Sequence, residues 1–187
     1  MAFEATFNEL VAAWRRLHEV VEALRVTTVE DKPLTDGVLL VDRCGDATED
    51  LLGWATEGLA AATNALGAVG ETLDLHRARR ALSSCQQCFA RLEDELLTFT
   101  SYDRVTEINR FGRKRRGEWL AWVRSVRDAA AQCLQPTMEL REALVRCWQE
   151  LAERLGTTSV WVQTTNVGQQ LSTPPADARG ATRNGLT

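Results

Sequence analysis

The segment "FEATFNELVAAWRRLHEVVEAL", residues 3–24, decides the fold class of this chain. Its large apolar residues recur in alternating steps of four and three, at Phe3, Phe7, Leu10, Trp14, Leu17, Val21 and Leu24. This spacing places them on one stripe of an α-helix, which can be buried against a neighbouring element. The segment therefore predicts an amphipathic first helix. Thr6 and Glu9 have the spacing of a capping box at its start, while Phe3 in the same stripe favours an earlier start.

The same spacing returns four more times before Gly156. The repeated sets are Leu40, Cys44, Ala47, Leu51, Trp54, Gly58, Ala61 and Ala65; Leu75, Ala78, Leu82, Cys85, Phe89, Leu92 and Leu96; Trp119, Trp122, Val126, Ala129 and Cys133; and Leu140, Leu144, Trp148, Leu151 and Leu155. Breaks fall at residues 27–37, at Gly67 and Gly70, at an expected exit loop over 98–103, and near Pro136, which cannot donate a helical hydrogen bond. The sequence thus predicts an all-α fold, an antiparallel bundle of four to five long helices: five, or four with a kinked fourth.

The character of the chain changes after the last stripe. Residues 1–156 are expected to form the bundle, and residues 157–173 alternate apolar with polar side chains, as an extended strand does. Residues 174–187 are rich in Pro, Gly, Ala and Thr, which predicts a disordered tail. We call residues 157–173 the C-terminal segment.

Composition and charge restrict the class of partner. The chain has 22 basic and 26 acidic side chains and a net charge of -4, which argues against a general polyanion binder. Its first 30 residues carry Glu4, Glu9, Glu19 and Glu22 and have no basic region followed by an apolar one, so no export signal is indicated. A cytoplasmic protein without a membrane span is expected.

The usual parts of enzyme sites are missing from the sequence. The two histidines, His18 and His76, have Arg15 and Leu73 three residues before them, not the glutamate of di-iron bundles. No phosphate-binding glycine motif occurs. The motif "CQQC", residues 85–88, has no second pair for zinc, and each cysteine falls on or near an apolar stripe. We expect core cysteines in reduced form, no enzymatic activity, no cofactor, no metal and no small-molecule substrate. The alternative is a thiol centre gathered from Cys44, Cys85, Cys133 and Cys147.

One dense basic patch is evident in the sequence, at Arg110, Arg113, Lys114, Arg115 and Arg116, which we call the basic segment. Charge runs of this kind are commonly solvated helix starts or loop tips. The functional interpretation is an anion contact, in which the side chains attract an acidic partner, an anionic membrane surface or, as a weaker fit, nucleic acid. Trp119 follows the basic segment and is the aromatic residue expected to join such a contact.

The C-terminal segment carries the other candidate contact residues. They are Val160, Trp161, Val162, Gln163, Asn166, Val167, Gln169 and Gln170. A single strand cannot satisfy its own backbone hydrogen bonds, so it either lies along the bundle with Trp161 docked or pairs with another chain. Such pairing would be strand addition to a protein partner, or stacking of identical segments in a homo-oligomer.

A helical domain followed by a short Asn/Gln/Gly/Val segment resembles the amyloid-signalling proteins, in which a Bell- or HeLo-like helical effector domain precedes a C-terminal motif. Val162 and Gln163 match the first two positions of the apolar-Gln-apolar-Gly core of that motif, whereas Thr164 and Thr165 depart from it. The resemblance covers about residues 159–171 and implies membrane-directed cell killing in bacterial defence.

The leading expectation from the residues is a cytoplasmic, non-enzymatic adaptor in signalling or assembly. It would act through the basic segment and the C-terminal segment. The alternative is a membrane-acting cell-death or defence effector triggered by self-assembly of the C-terminal segment.

Overall fold

The structure, a computed structural model, describes residues 2–31, 38–101 and 116–156. Its elements in these ranges are α1 (Ala2–Arg25), a π-helical turn (Val26–Glu30), α2 (Val38–Gly70), α3 (Leu75–Ser101), α4 (Arg116–Gln132) and α5 (Leu134–Leu155). The described part of the chain contains no strand, and the predicted all-α fold is confirmed. The C-terminal segment and the tail, residues 157–187, lie outside the described residues.

The helices α1, α2 and α3 run antiparallel to their neighbours in sequence. Trp14 in the middle of α1 meets Gly58 of α2, and Arg25 at the end of α1 is paired with Glu49 nearer the start of α2. The same reasoning holds for α2 and α3, because the Cys85 thiol donates a hydrogen bond to the carbonyl oxygen of Gly58, and Arg91, later in α3, lies over the ring of Trp54, earlier in α2. These registers place the π-helical turn at one end of the bundle, the π end, and the α2–α3 turn at the other, the turn end.

The fourth rod is interrupted at a single residue. α4 and α5 are separated only by Cys133, whose N–H donates to the Ala130 carbonyl and whose carbonyl accepts from the N–H of Thr137. Pro136 lies in the first turn of α5, where its missing N–H is least costly. Of the two predicted alternatives, the bundle of four rods with a broken fourth is the one observed in the ranges that the structure describes. α5 ends where predicted, with Gly156 in the left-handed conformation at a φ of 64°.

The core is formed by the predicted stripes. All seven apolar residues of the α1 stripe are buried, and α2 contributes small side chains that let its neighbours approach closely. The indole of Trp14 is fully buried against Gly58, where a Cβ atom would lie 2.2 Å from Cη2 of the ring. Trp54, expected in the core, is only partly buried, and the Arg91 guanidinium lies 4.6 Å from the centre of its ring.

Three helix boundaries differ from the sequence prediction. α1 begins at Ala2, so the capping box at Thr6 was wrong; the Thr6 hydroxyl instead donates a 2.6 Å hydrogen bond to Glu150 of α5. α3 continues to Ser101, beyond the expected start of its exit loop at residue 98. The π-helical turn at Val26–Glu30 continues α1 into residues 27–30, which were expected in a break. At the π-helical turn, tertiary contacts from Trp122 to the Thr27 carbonyl and from Thr48 to Thr28 hold residues of poor helix propensity in a helical conformation.

Within the ranges that the structure describes, no helix combines the length and the apolar composition that crossing a bilayer requires.

Candidate functional site

The residues predicted to make functional contacts lie almost wholly outside the described ranges. Arg110, Arg113, Lys114 and Arg115 of the basic segment are outside, as are Val160, Trp161, Val162, Gln163, Asn166, Val167, Gln169 and Gln170. Arg116 and Trp119 belong to the first turn of α4, where only the backbone is described. The structure therefore locates the points at which these segments join the bundle.

These two points of attachment lie at opposite ends. Near the last turn of α5, the Arg154 guanidinium lies 4.1 Å from the ring centre of Phe3. Phe3 is in the first turn of α1, which lies at the turn end because the neighbouring Glu4 approaches Gly70 at the end of α2. The chain therefore leaves Gly156 at the turn end. Near the start of α4, the Trp122 indole N–H donates a 2.8 Å hydrogen bond to the Thr27 carbonyl, at the π end. α3, with 27 residues, spans about 40 Å between the two ends at 1.5 Å per residue.

The π end is held together by polar contacts inside the protein. The hydroxyls of Thr28 and Thr48 are buried and lie 2.8 Å apart, which links the end of α1 to α2. Each hydroxyl also has a backbone carbonyl acceptor one turn earlier, Leu24 for Thr28 and Gly45 for Thr48. A π-helical turn inserts one extra residue into the helix, and it brings Thr28 into this pair.

The surface of the π end is acidic around one arginine. Arg25 donates to Glu22 and Glu30 at 2.9 Å and to Glu49 at 3.5 Å. The hydrogen bond from Arg25 lowers the pKa of the Glu22 carboxyl. Three carboxylates around one guanidinium leave an excess of negative charge near the point where the basic segment enters α4.

The turn end contains an exposed leucine in an unusual backbone conformation. Leu73 has a φ of 49°, a region that glycine and asparagine adopt far more readily, and 61% of its surface is exposed. The next residue, Asp74, caps α3 by accepting the N–H of Arg77 at 2.9 Å, and its own N–H donates to the Ala68 carbonyl at 2.8 Å. Leu73 is thus held at the tip of a closed turn.

A second basic surface begins directly after this turn. Arg77, Arg79 and Arg80, which we call the α3 arginines, are all exposed, because Ala78 and Leu82 turn into the core between and after them. Among the residues that the structure describes, none of the three has an ion-pair partner. The α3 arginines form a smaller basic cluster than the basic segment, and they were not among the predicted contact residues. The stretch "HRARR", residues 76–80, was the available signal, and helix periodicity shows that its arginines face solvent.

The helix dipole does not explain the α3 arginines. Anions are favoured at a helix N-terminus and cations at its C-terminus, and the effect falls off within one turn. Asp74 is an anion at the favoured end, whereas Arg77 lies in the first turn and Arg79 and Arg80 lie in the second. The α3 arginines therefore gain no stability from the dipole.

The cysteines fill the core, as predicted, and all five are buried as free thiols. Cys85 donates to the Gly58 carbonyl and Cys147 to the Thr6 carbonyl, both at 3.4 Å. Burial raises the pKa of both thiols, and it raises the pKa of Cys133 to about 12. These thiols are protonated at neutral pH and are poor nucleophiles. The described residues contain no group of three or more His, Cys, Asp or Glu side chains arranged to hold a metal.

Comparison with known proteins identifies no relative: no family model, no curated protein and no solved structure matches this chain. The two ends of the bundle and the segments attached to them are the features of the molecule that bear on function. The basic segment joins α4 at the π end. The turn end presents Leu73 and the α3 arginines, and the C-terminal segment leaves the bundle at this same end.

Proposed function

We propose that the protein is a non-enzymatic helical adaptor that joins two partners, one through the basic segment and one through the C-terminal segment. The observation that carries this proposal is the attachment of these segments at opposite ends of the bundle, about 40 Å apart along a 27-residue α3. Two partners bound at such a distance do not compete for the same surface, so both can be held at once.

The packing of the rods supports a role as a spacer. Trp14 is enclosed between α1 and α2 with no exposed surface, and Leu51 and Leu92 are buried to the same extent in α2 and α3. A core with this interdigitation resists deformation and keeps the two ends at a constant separation. Raised thiol pKa values at Cys85 and Cys147 support a role without nucleophilic catalysis.

The chemistry of each segment defines the class of partner. The alternating Val160, Trp161 and Val162 suit addition to the edge of a sheet in a protein partner or in a second copy of this chain. The basic segment suits an acidic protein face or an anionic membrane. The acidic residues at the π end favour a discrete partner over a broad anionic surface, because Glu30 and Glu49 would approach such a surface too.

The test uses the full chain and two variants in affinity capture from the native cell. One variant, Val160→Pro/Val162→Pro, removes strand pairing, and the other, Arg113→Gln/Arg115→Gln/Arg116→Gln, removes charge. Each should lose a different captured protein and keep the other. Ala178→Pro/Ala181→Pro, which places two prolines in the tail, should capture the same proteins as the wild type.

Two results would contradict the adaptor. If both variants captured the same proteins as the wild type, neither segment would be a binding element. If the full chain instead formed fibres that bind thioflavin, and Val160→Pro/Val162→Pro abolished them, the self-assembling effector would replace the adaptor as the better proposal.

A further inference from the structure

We infer that the turn end of the bundle is a binding surface for anionic lipid, formed by Leu73 and the α3 arginines. Leu73 would enter the boundary between headgroups and acyl chains, and the guanidinium groups would contact lipid phosphates. This surface shares no residue with the basic segment or the C-terminal segment. It therefore does not depend on the proposed adaptor function.

The first observation is that the fold gains nothing from leucine at position 73. Its φ of 49° is strained for any residue with a branched or bulky side chain, and glycine or asparagine would relieve this strain. Its side chain is 61% exposed, so it contributes little to the core. A residue that breaks a local rule without a structural gain is expected at a functional site.

The second observation is the position of the α3 arginines. They occupy the first two turns of α3, and they have no ion-pair partner within the described ranges. Three acids lie at the same end: Glu71 and Asp74 in the preceding turn, and Glu4, whose Oε1 lies 3.2 Å from the place that a Cβ atom at Gly70 would occupy. None of these acids forms an ion pair with the α3 arginines among the described residues, so the three guanidinium groups are available to contact phosphate.

The combination of leucine and arginine favours lipid over nucleic acid. Nucleic-acid surfaces combine cations with aromatic or polar side chains that contact bases, whereas the residue at this tip is aliphatic. A membrane interface accepts both groups, the guanidinium at the phosphates and the leucine just below them.

The expected binding is weak for a single copy. Each arginine near an anionic bilayer raises affinity about fivefold, and one leucine adds a contribution of similar size. Binding is therefore expected only at high lipid concentration and low salt, and it should decrease as salt screens the arginines.

The experiment is co-sedimentation of the full chain with phosphatidylcholine vesicles, with and without phosphatidylglycerol. Arg79→Gln/Arg80→Gln should weaken binding to the anionic vesicles on the order of 20-fold, from two arginines at about fivefold each. The matched control is Arg15→Gln/Arg124→Gln, which removes the same charge from exposed positions on α1 and α4. It should bind as the wild type does.

A second variant separates binding from folding. Leu73→Asn should weaken vesicle binding several-fold while leaving the melting temperature equal or higher, because asparagine tolerates a positive φ. A loss of binding through unfolding would lower the melting temperature, so this pair of measurements distinguishes the two causes.

Several outcomes would overturn the inference. Equal binding by Arg79→Gln/Arg80→Gln and the wild type would do so, as would absence of wild-type binding or equal binding to neutral vesicles. Loss of binding only in Arg113→Gln/Arg115→Gln/Arg116→Gln would assign lipid contact to the basic segment. Tighter binding to duplex DNA, with the same dependence on Arg79 and Arg80, would make the surface a nucleic-acid site.

Discussion

Substitution of Gly58 by alanine tests the contact on which the packing of α1 against α2 depends. A Cβ atom at this position would lie 2.2 Å from Cη2 of Trp14 and 2.5 Å from Cζ2 and Cζ3. Carbon atoms in contact are about 3.5 Å apart, so the ring or the helix would have to move by about 1.3 Å. The obstructing atoms belong to a rigid ring with no exposed surface, which cannot rotate into solvent.

The magnitude follows from two opposed effects. Overpacking a well-packed core costs about 1–3 kcal/mol, and occasionally more. Replacing glycine by alanine within a helix returns about 0.5–1 kcal/mol. The displacement required at Gly58 is large and the ring has no free space, so the first effect should dominate. We expect Gly58→Ala to lower the free energy of unfolding by about 2 kcal/mol.

The assay is urea denaturation followed by circular dichroism, with Gly53→Ala as the matched control. Gly53 lies on the same helix and is exposed, and a Cβ atom added there would meet no neighbouring atom within 4 Å. Its substitution should raise stability by about 0.5–1 kcal/mol. For a domain of this size, the pair should differ in melting temperature by several degrees, since about 2–4 °C corresponds to 1 kcal/mol.

A double-mutant cycle identifies the clashing partner. Trp14→Phe removes the distant part of the indole, so Gly58→Ala should cost less in that background than in the wild type. If Gly58→Ala were as stabilising as Gly53→Ala, Trp14 would not lie against Gly58, and the register of α1 on α2 would be wrong.

Three further predictions concern single groups. Thr28→Val should lower the free energy of unfolding, measured by urea denaturation, by about 1–2 kcal/mol, because it leaves the buried Thr48 hydroxyl without its partner. The double variant Thr28→Val/Thr48→Val should lose less stability than the sum of the two single variants. Additive losses would show that the two hydroxyls do not interact. Cys147 should react with iodoacetamide at pH 8 only after unfolding, because burial raises its pKa, and rapid labelling of the folded protein would show an open core. The Arg25 hydrogen bond lowers the pKa of Glu22, so the pair stabilises the fold above the ordinary carboxyl pKa of 4.5, and this stabilisation is lost as the pH falls through the lower pKa of the folded state. Glu22→Gln should therefore reduce the loss of stability on acidification. An unchanged dependence of stability on pH would exclude a contribution from the pair of Glu22 with Arg25.

The helices could be predicted from the sequence because burial repeats at a local period. Phe7, Leu10 and Trp14 are fully buried, as their spacing requires, and Cys85 lies in the core between Leu82 and Phe89. The break in the fourth rod followed from the chemistry of proline. Local patterns of this kind are sufficient to predict a helix or a helix break, because an apolar residue at helical spacing is buried and a proline interrupts helical hydrogen bonding.

The π-helical turn could not be predicted, because its stabilising contacts are distant in sequence. The Thr27 carbonyl accepts from Trp122, 95 residues further along the chain, and Thr28 pairs with Thr48 across two helices. A pattern search treats threonines after a helix as a break. Leu73 was overlooked for a similar reason, since neither a positive φ nor the partners of an arginine cluster can be identified without tertiary structure.

α3 shows why a stable helix can carry exposed charges that contribute nothing to its own stability. Its buried side chains include Leu82, Phe89, Leu92 and Leu96, and each large apolar group contributes about 1.5–3 kcal/mol on burial. Each unfavourable charge at a helix end costs about 0.3–1 kcal/mol, and less when exposed to salt. Burial exceeds this electrostatic cost several-fold, so the apolar stripe alone fixes where α3 lies. The exposed arc is then free to hold residues that packing does not require, and the α3 arginines are residues of this kind.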